Sequence, residues 1–180
     1  MRVIAGIAGG QALVAPRDRG TRPIADRVKE TLFAILGERV LDARVVDLYA
    51  GSGAIGIEAL SRGAAHATFV EQARPALAAL RENLERTRLA PLADIVALDV
   101  ERFLAEPPGT PWSLAFLDPP YDLHAIVAPL RAIEPLLTGD AMVVVKHFWR
   151  TELPEVAGLA AVRQRRFGET MLSFLEAQER

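Results

Sequence analysis

The cluster Gly51-Ser52-Gly53-Ala54-Ile55-Gly56 restricts what this chain can fold into more than any other feature. It follows the apolar run Ala43-Arg44-Val45-Val46-Asp47-Leu48 and opens the stretch Gly53–Arg62, which suits a helix ending at Gly63. Closely spaced glycines allow a sharp turn from strand to helix, through backbone angles that other residues resist. A strand, a glycine turn and a helix in that order begin a βαβ unit. The alternation continues down the chain. Ala67–Val70, Ile95–Leu98, Ser113–Leu117 and Ala141–Lys146 read as further strands. Between them, Ala73–Arg88 reads as a helix with Ala73, Leu77, Leu80 and Leu84 on one face, and Val100–Ala105 as a short helix. Leu123–Leu137 is helical in part, bent or divided by Pro129 and Pro135. Ala160–Phe167 and Thr170–Leu175 flank Gly168-Glu169 as an antiparallel pair. Strands joined through helices demand a mostly parallel sheet covered on both faces, here seven-stranded with antiparallel character at its C-terminal edge.

Residues 2–7 and 11–15 are β-prone runs around Gly9-Gly10, which predicts a hairpin. Pro16–Gly20 is loop, and from Pro23 the spacing of Ile24, Val28, Leu32 and Ile35 predicts a helix stopped by Gly37. The expected division is a hairpin extension over 1–20 and one α/β domain over 21–180. With 51% hydrophobic residues in 180, the chain can bury one substantial core. No uncharged apolar stretch approaches the ~18 residues of a membrane span, and the run before Gly9-Gly10 is short for a secretory signal. The absence of cysteine removes disulfides and thiolate metal sites, and His66, His124 and His147 lack ligand spacing. A cytoplasmic monomer without a metal is the expectation. The formal net charge of −2 argues against a wholly basic surface, but local distribution decides what binds. Residues 1–30 hold Arg2, Arg17, Arg19, Arg22, Arg27 and Lys29 against Asp18, Asp26 and Glu30, a face for phosphates or simply a solvated one.

The chemistry is carried by three places. Glu71 ends the second strand about 20 positions after Gly51, where a carboxylate can accept hydrogen bonds from ribose hydroxyls. With the glycine loop this points to an adenosine-containing cofactor. Asp47, in the strand just before the glycines, suits the ammonium of a methionyl group and would repel a pyrophosphate, which favours S-adenosylmethionine over a nicotinamide dinucleotide. Asp99 either reaches the adenine amine or caps the helix that follows it. Asp118-Pro119-Pro120-Tyr121 then lies at the carboxyl edge of the sheet. The amine of a nucleobase is a poor nucleophile because its lone pair is delocalised into the ring. A carboxylate (Asp118) and a carbonyl (Pro119) that accept its two N–H bonds would localise that pair. Pro119 and Pro120 stiffen the backbone, and Tyr121 offers a stacking face for an unstacked base. The plainer alternative is a rigid turn with a capping aspartate.

Asp47-Leu48-Tyr49-Ala50-Gly51-Ser52-Gly53 together with Asp118-Pro119-Pro120-Tyr121 resembles a class I amino-methyltransferase with a Rossmann-like fold. Met1–Gly6, Thr21-Arg22-Pro23, Asp26–Phe33, Gly56–Ala64 and Arg166–Thr170 are similar to the RsmD family. That resemblance implies transfer of a methyl group from S-adenosylmethionine to guanine N2 in 16S ribosomal RNA, on the small subunit or an assembly intermediate. It implies cofactor contacts from Asp47, Ala50, Gly51, Ser52, Gly53, Glu71, Asp99 and Val100, and a target base held by Asp118, Pro119, Pro120 and Tyr121. Arg2, Arg17, Arg19, Arg22 and Arg27 are the candidate RNA contacts, although Thr21, Arg22 and Arg27 equally suit caps that pin the first helix. One departure stands out: the family's hairpin tip is basic, whereas here it reads Ile7-Ala8-Gly9-Gly10-Gln11-Ala12. RNA grip is therefore left to ribosomal-protein contacts or to another face. Competing readings are an amino-methyltransferase of DNA adenine, a nicotinamide-dependent oxidoreductase, and a non-catalytic assembly module.

Overall fold

The computed structural model describes residues 1–16, 24–107, 109–119 and 124–178. Seven strands form one sheet in the order β3-β2-β1-β4-β5-β7-β6. They are β1 (Arg44–Leu48), β2 (His66–Val70), β3 (Ala93–Val96), β4 (Trp112–Leu117), β5 (Leu137–Phe148), β6 (Leu159–Phe167) and β7 (Thr170–Ala177). The first five run parallel, and β7 pairs antiparallel with both β5 and β6. Among the described residues, five helices accompany them: α1 (Asp26–Leu36), α2 (Ala54–Ser61), α3 (Arg74–Thr87), α4 (Val100–Ala105) and α5 (His124–Ile133). The mostly parallel α/β architecture expected from the alternation is the one observed.

Side chains alternate across the strands and feed two cores. Val45, Phe69, Leu114, Phe116, Val144 and Phe174 face the layer of α1, α2 and α3. Val46, Leu48, Val70, Ala115, Leu117, Val143 and Val145 face α4 and α5. Burial on both faces explains why the central strands read as continuous apolar runs. The third strand is displaced from its expected position. Leu89–Leu92 closes a short 3₁₀ turn, so pairing begins at Ala93, while Ala97 and Leu98 lie beyond the strand. Pro129 sits inside α5, and the helix gives way to a 3₁₀ turn at Glu134-Pro135-Leu136.

Helix α2 is buried at all eight of its positions. A helix buried all round needs cover on the side away from the sheet, and residues 1–16 help to supply it. The N-terminal hairpin keeps one isolated bridge, Arg2–Ala12, and Val3, Ala8 and Leu13 enter the core. Its polar anchors come from the helices beneath. Glu58 accepts from the Ile4 and Ala5 amides at 2.7 and 3.0 Å and pairs with fully buried Lys29 at 3.1 Å. Ser61 Oγ accepts from the Ala8 amide and donates to the Ala5 carbonyl. Asn83 of α3 bonds both backbone groups of Val14, and donates as well to the Ser52 carbonyl. Gly6, at φ +83°, lies so close to the Ser61 carbonyl that any Cβ there would collide with it. The expected boundary at 20/21 falls outside the described residues.

Candidate active site

The strand order reverses between β1 and β4, which are neighbours in the sheet though β1 also pairs with β2. The crevice at the carboxyl ends of such a pair is where open α/β sheets bind ligands. Here it opens into a cavity of about 420 Å³. Its floor is the turn after β1: Tyr49, Ala50, Gly51 and Ser52 all line it. Tyr49 has φ +62°, an uncommon angle for a bulky residue, and it is followed by Gly51 at +58° and Gly53 at +79°. A Cβ on Gly51 would meet no atom within 4 Å, so the missing side chain leaves open space above the backbone. Gly56 serves packing instead, because a Cβ there would strike the Phe69 ring at 2.4 Å.

Among the described residues, three carboxylates face this cavity: Asp47, Glu71 and Asp118. Asp47 is buried on β1, and its Oδ2 accepts from the Gly56 amide at 2.9 Å. Burial pushes its pKa well above the usual aspartate range; the Gly56 hydrogen bond opposes this, while Asp118 and Glu71 add to it. Glu71 holds the loop in shape. Its Oε2 accepts from the Gly51 amide at 2.9 Å, and its Oε1 accepts from the Gln72 and Ala73 amides at 2.8 Å each. Glycine loop and α3 entry are thus tied to one side chain.

Asp118 follows β4, with Pro119 buried beside it, and both line the cavity. Its two oxygens accept from Lys146 Nζ at 2.6 and 2.8 Å. The carboxylate remains about a quarter exposed. Desolvation raises its pKa, and the Lys146 ammonium works against that rise. Lys146, near the end of β5, escaped the reading of the sequence. A charge closing the run Val143-Val144-Val145 was the available signal, but its placement beside Asp118 depends on β5 lying next to β4.

The other candidates separate. Val100 and the unforeseen Leu98 supply apolar cavity wall. Asp99 between them caps α4, its Oδ1 accepting from the Glu101 and Arg102 amides, and it is not among the lining residues. Gly53 is likewise outside the lining; it lets the chain enter α2 against Leu80 and Phe69. Arg2 pairs with Asp26 at 3.2 Å, and its carbonyl accepts from Lys29. Arg27 lies on α1 beside a second, neighbouring cavity. Arg17, Arg19, Thr21, Arg22, Pro120 and Tyr121 lie outside the described residues. Among the described residues, no helix is long and apolar enough to cross a membrane.

The family described as conserved hypothetical protein 95 matches residues 1–176. "Putative rRNA methyltransferase YlbH" of Bacillus subtilis (strain 168) is 39% identical over 175 residues, covering 94% of this chain and 95% of that protein. "Ribosomal RNA small subunit methyltransferase D" of Escherichia coli (strain K12) is 39% identical over 158 residues, covering 87% of this chain and 79% of that protein. The solved structure "Putative methyltransferase yhhF from Escherichia coli" superposes with a TM-score of 0.90 at 35% identity, covering 100% of this chain and 99% of that one. With the glycine turn and Asp118 standing on either side of one crevice, and with likeness of this extent, the chain belongs to the RsmD family.

Proposed function

We propose that this chain methylates the exocyclic N2 amine of a guanine in 16S ribosomal RNA, using S-adenosylmethionine, on the small subunit or an assembly intermediate in the cytoplasm. The observation that carries the reading is the facing of Asp118 and the glycine turn across one acidic cavity. The names of the relatives support ribosomal RNA as the substrate class.

The donor set fits the cofactor. Among the described residues, three carboxylates and one lysine line the cavity, which suits a ligand with a sulfonium and an ammonium and disfavours a pyrophosphate. When bound, S-adenosylmethionine supplies a methyl group made electrophilic by its sulfonium. Asp47 would hold the ammonium of the methionyl part. Glu71 keeps acceptor lone pairs beyond its three backbone bonds and would take the ribose hydroxyls. Leu98 and Val100 would cover the adenine ring. Asp118 would accept an N–H from the guanine amine and, with the Pro119 carbonyl, localise its lone pair; Pro120 and Tyr121 would stiffen the turn and stack the base. To take that hydrogen bond, Asp118 has to share an oxygen now engaged by Lys146.

The test uses labelled S-adenosylmethionine with undermethylated small subunits and maps the product base by mass spectrometry. Label on guanine N2 is the expected result. Label on another base or on DNA adenine, or none at all, would refute the assignment.

A further inference from the structure

A second cavity, of about 850 Å³, adjoins the acidic one, and the two share Ile24 and Lys146 in their walls. Their charges are opposite. Among the described residues, the charged side chains lining the first are Asp47, Glu71, Asp118 and Lys146. Among the described residues, the charged side chains lining the second are Arg27, Lys146, Arg166 and Glu169. The junction between them is the Lys146–Asp118 ion pair.

The basic cavity lies between the start of α1 and the β6–β7 turn, and its arginine is held ready. The Arg166 guanidinium stacks 3.7 Å from the centroid of the Trp149 ring, and its Nε donates to the Gly168 carbonyl at 2.8 Å. Arg150 also sits over Trp149, at 4.7 Å. Stacking occupies a guanidinium's face and leaves its in-plane Nη–H donors directed outward, with less rotamer entropy to lose on binding. Edge strand β6 continues the charge: Arg163, Arg165 and Arg166 are exposed on it, and it contains no acidic residue. A chain of net charge −2 has gathered these cations toward the β6 edge of its sheet, and Lys146 joins them to the proposed target-base carboxylate.

We infer that this basic cavity, extended along β6, binds the sugar-phosphate backbone of single-stranded RNA flanking the nucleotide presented to Asp118. Planar guanidiniums match phosphate oxygens in pairs, and an arginine–tryptophan stack offers a flat platform to an unpaired base. The inference rests on the methyltransferase reading for its choice of polyanion. It keeps Arg27 from the N-terminal basic segment and joins to it the C-terminal hairpin, which the sequence did not single out for RNA.

The test is binding of a fluorescein-labelled single-stranded RNA 15-mer over a range of salt concentrations, with S-adenosylmethionine calorimetry on the same preparations. Arg27→Ala/Arg166→Ala is compared with wild type and with a charge-matched control on α3, Arg81→Ala/Arg86→Ala. The groove variant should bind RNA roughly tenfold more weakly, and its plot of log affinity against log salt should flatten by about 1.4, near 0.7 for each lost phosphate contact. The control should keep the wild-type slope. Equal affinity and slope in groove variant and wild type would overturn the inference. So would a groove that binds poly-glutamate and not RNA, which would assign it to an acidic protein segment. If RNA binding ignores the groove while the cofactor still binds, only this inference fails. If the cofactor does not bind, the proposed activity fails, and the RNA titration alone decides the groove.

Discussion

Asp47 illustrates how a residue proposed to bind the cofactor can work against the stability of the protein that carries it. Its folded pKa is raised, so the native state holds its proton more tightly than the unfolded chain does. Stability is therefore lost as pH climbs from the ordinary aspartate range through the raised folded value. Asp47→Asn, whose amide oxygen can still accept from Gly56, is expected to raise the melting temperature of the ligand-free protein. It should also weaken S-adenosylmethionine binding by about 1.5–3 kcal/mol, the worth of a hydrogen bond to a charged group. Calorimetry and a thermal melt on one preparation check both halves; a variant that binds as tightly as wild type would remove Asp47 from the cofactor site. Asp118 makes a different kind of prediction. The acceptor role proposed for it requires the ionised form, so activity should rise with pH through its elevated pKa. Lys146→Met removes the cation that opposes that elevation, so the acid limb of kcat/KM should move to higher pH, whereas Lys146→Arg should largely restore it. Asp118→Ala should cost orders of magnitude in turnover with cofactor affinity little changed. An acid limb unmoved in Lys146→Met would show that the ion pair does not tune the carboxylate.

Among the elements, α2 depends most on others. Glu58, Lys29 and Arg62 form a network in which the first two side chains are fully buried. A buried ion pair contributes little net stability, but removing one partner strands the other. Glu58→Ala is expected to cost about 3–5 kcal/mol in denaturant unfolding and to expose residues 1–16 to hydrogen exchange. Lys29→Met combined with Glu58→Gln should cost less than Glu58→Ala alone, and a larger loss would contradict this account. Elements were legible where local patterning determined them. The glycine turn, the amphipathic face of α3 and the Asp99 start of α4 all follow from neighbours in sequence. The first strand-prone runs were less so. Residues 2–7 and 11–15 carry β-prone residues, yet apart from the Arg2–Ala12 bridge their backbone is anchored largely by Glu58, Ser61 and Asn83. Those tertiary partners lie far along the chain, and no local propensity encodes them. The same reason hid Lys146, whose partner is fixed by strand order.

At the scale of the whole molecule, ligand linkage offers a test independent of any substitution. A ligand that binds only the folded state at 100 times its Kd adds about 2.7 kcal/mol. For a chain of 180 residues that corresponds to a rise of roughly 5–10 °C in Tm. S-adenosylmethionine should produce such a rise, and NAD at equal concentration should not; the reverse would return the fold to dinucleotide chemistry. The tethering of residues 1–16 also has a consequence in time. A ribosome releases that segment before any of the groups that hold it exists outside the tunnel. Glu58, Ser61 and Asn83 follow 53 to 69 positions later. Until α3 has emerged, Val3, Ala8 and Leu13 are apolar side chains with nowhere to go, and α2 is a helix without its cover. Synthesis thus passes through an interval in which residues 1–16 wait on the middle of the chain, and the layer over α2 closes only once α3 has arrived.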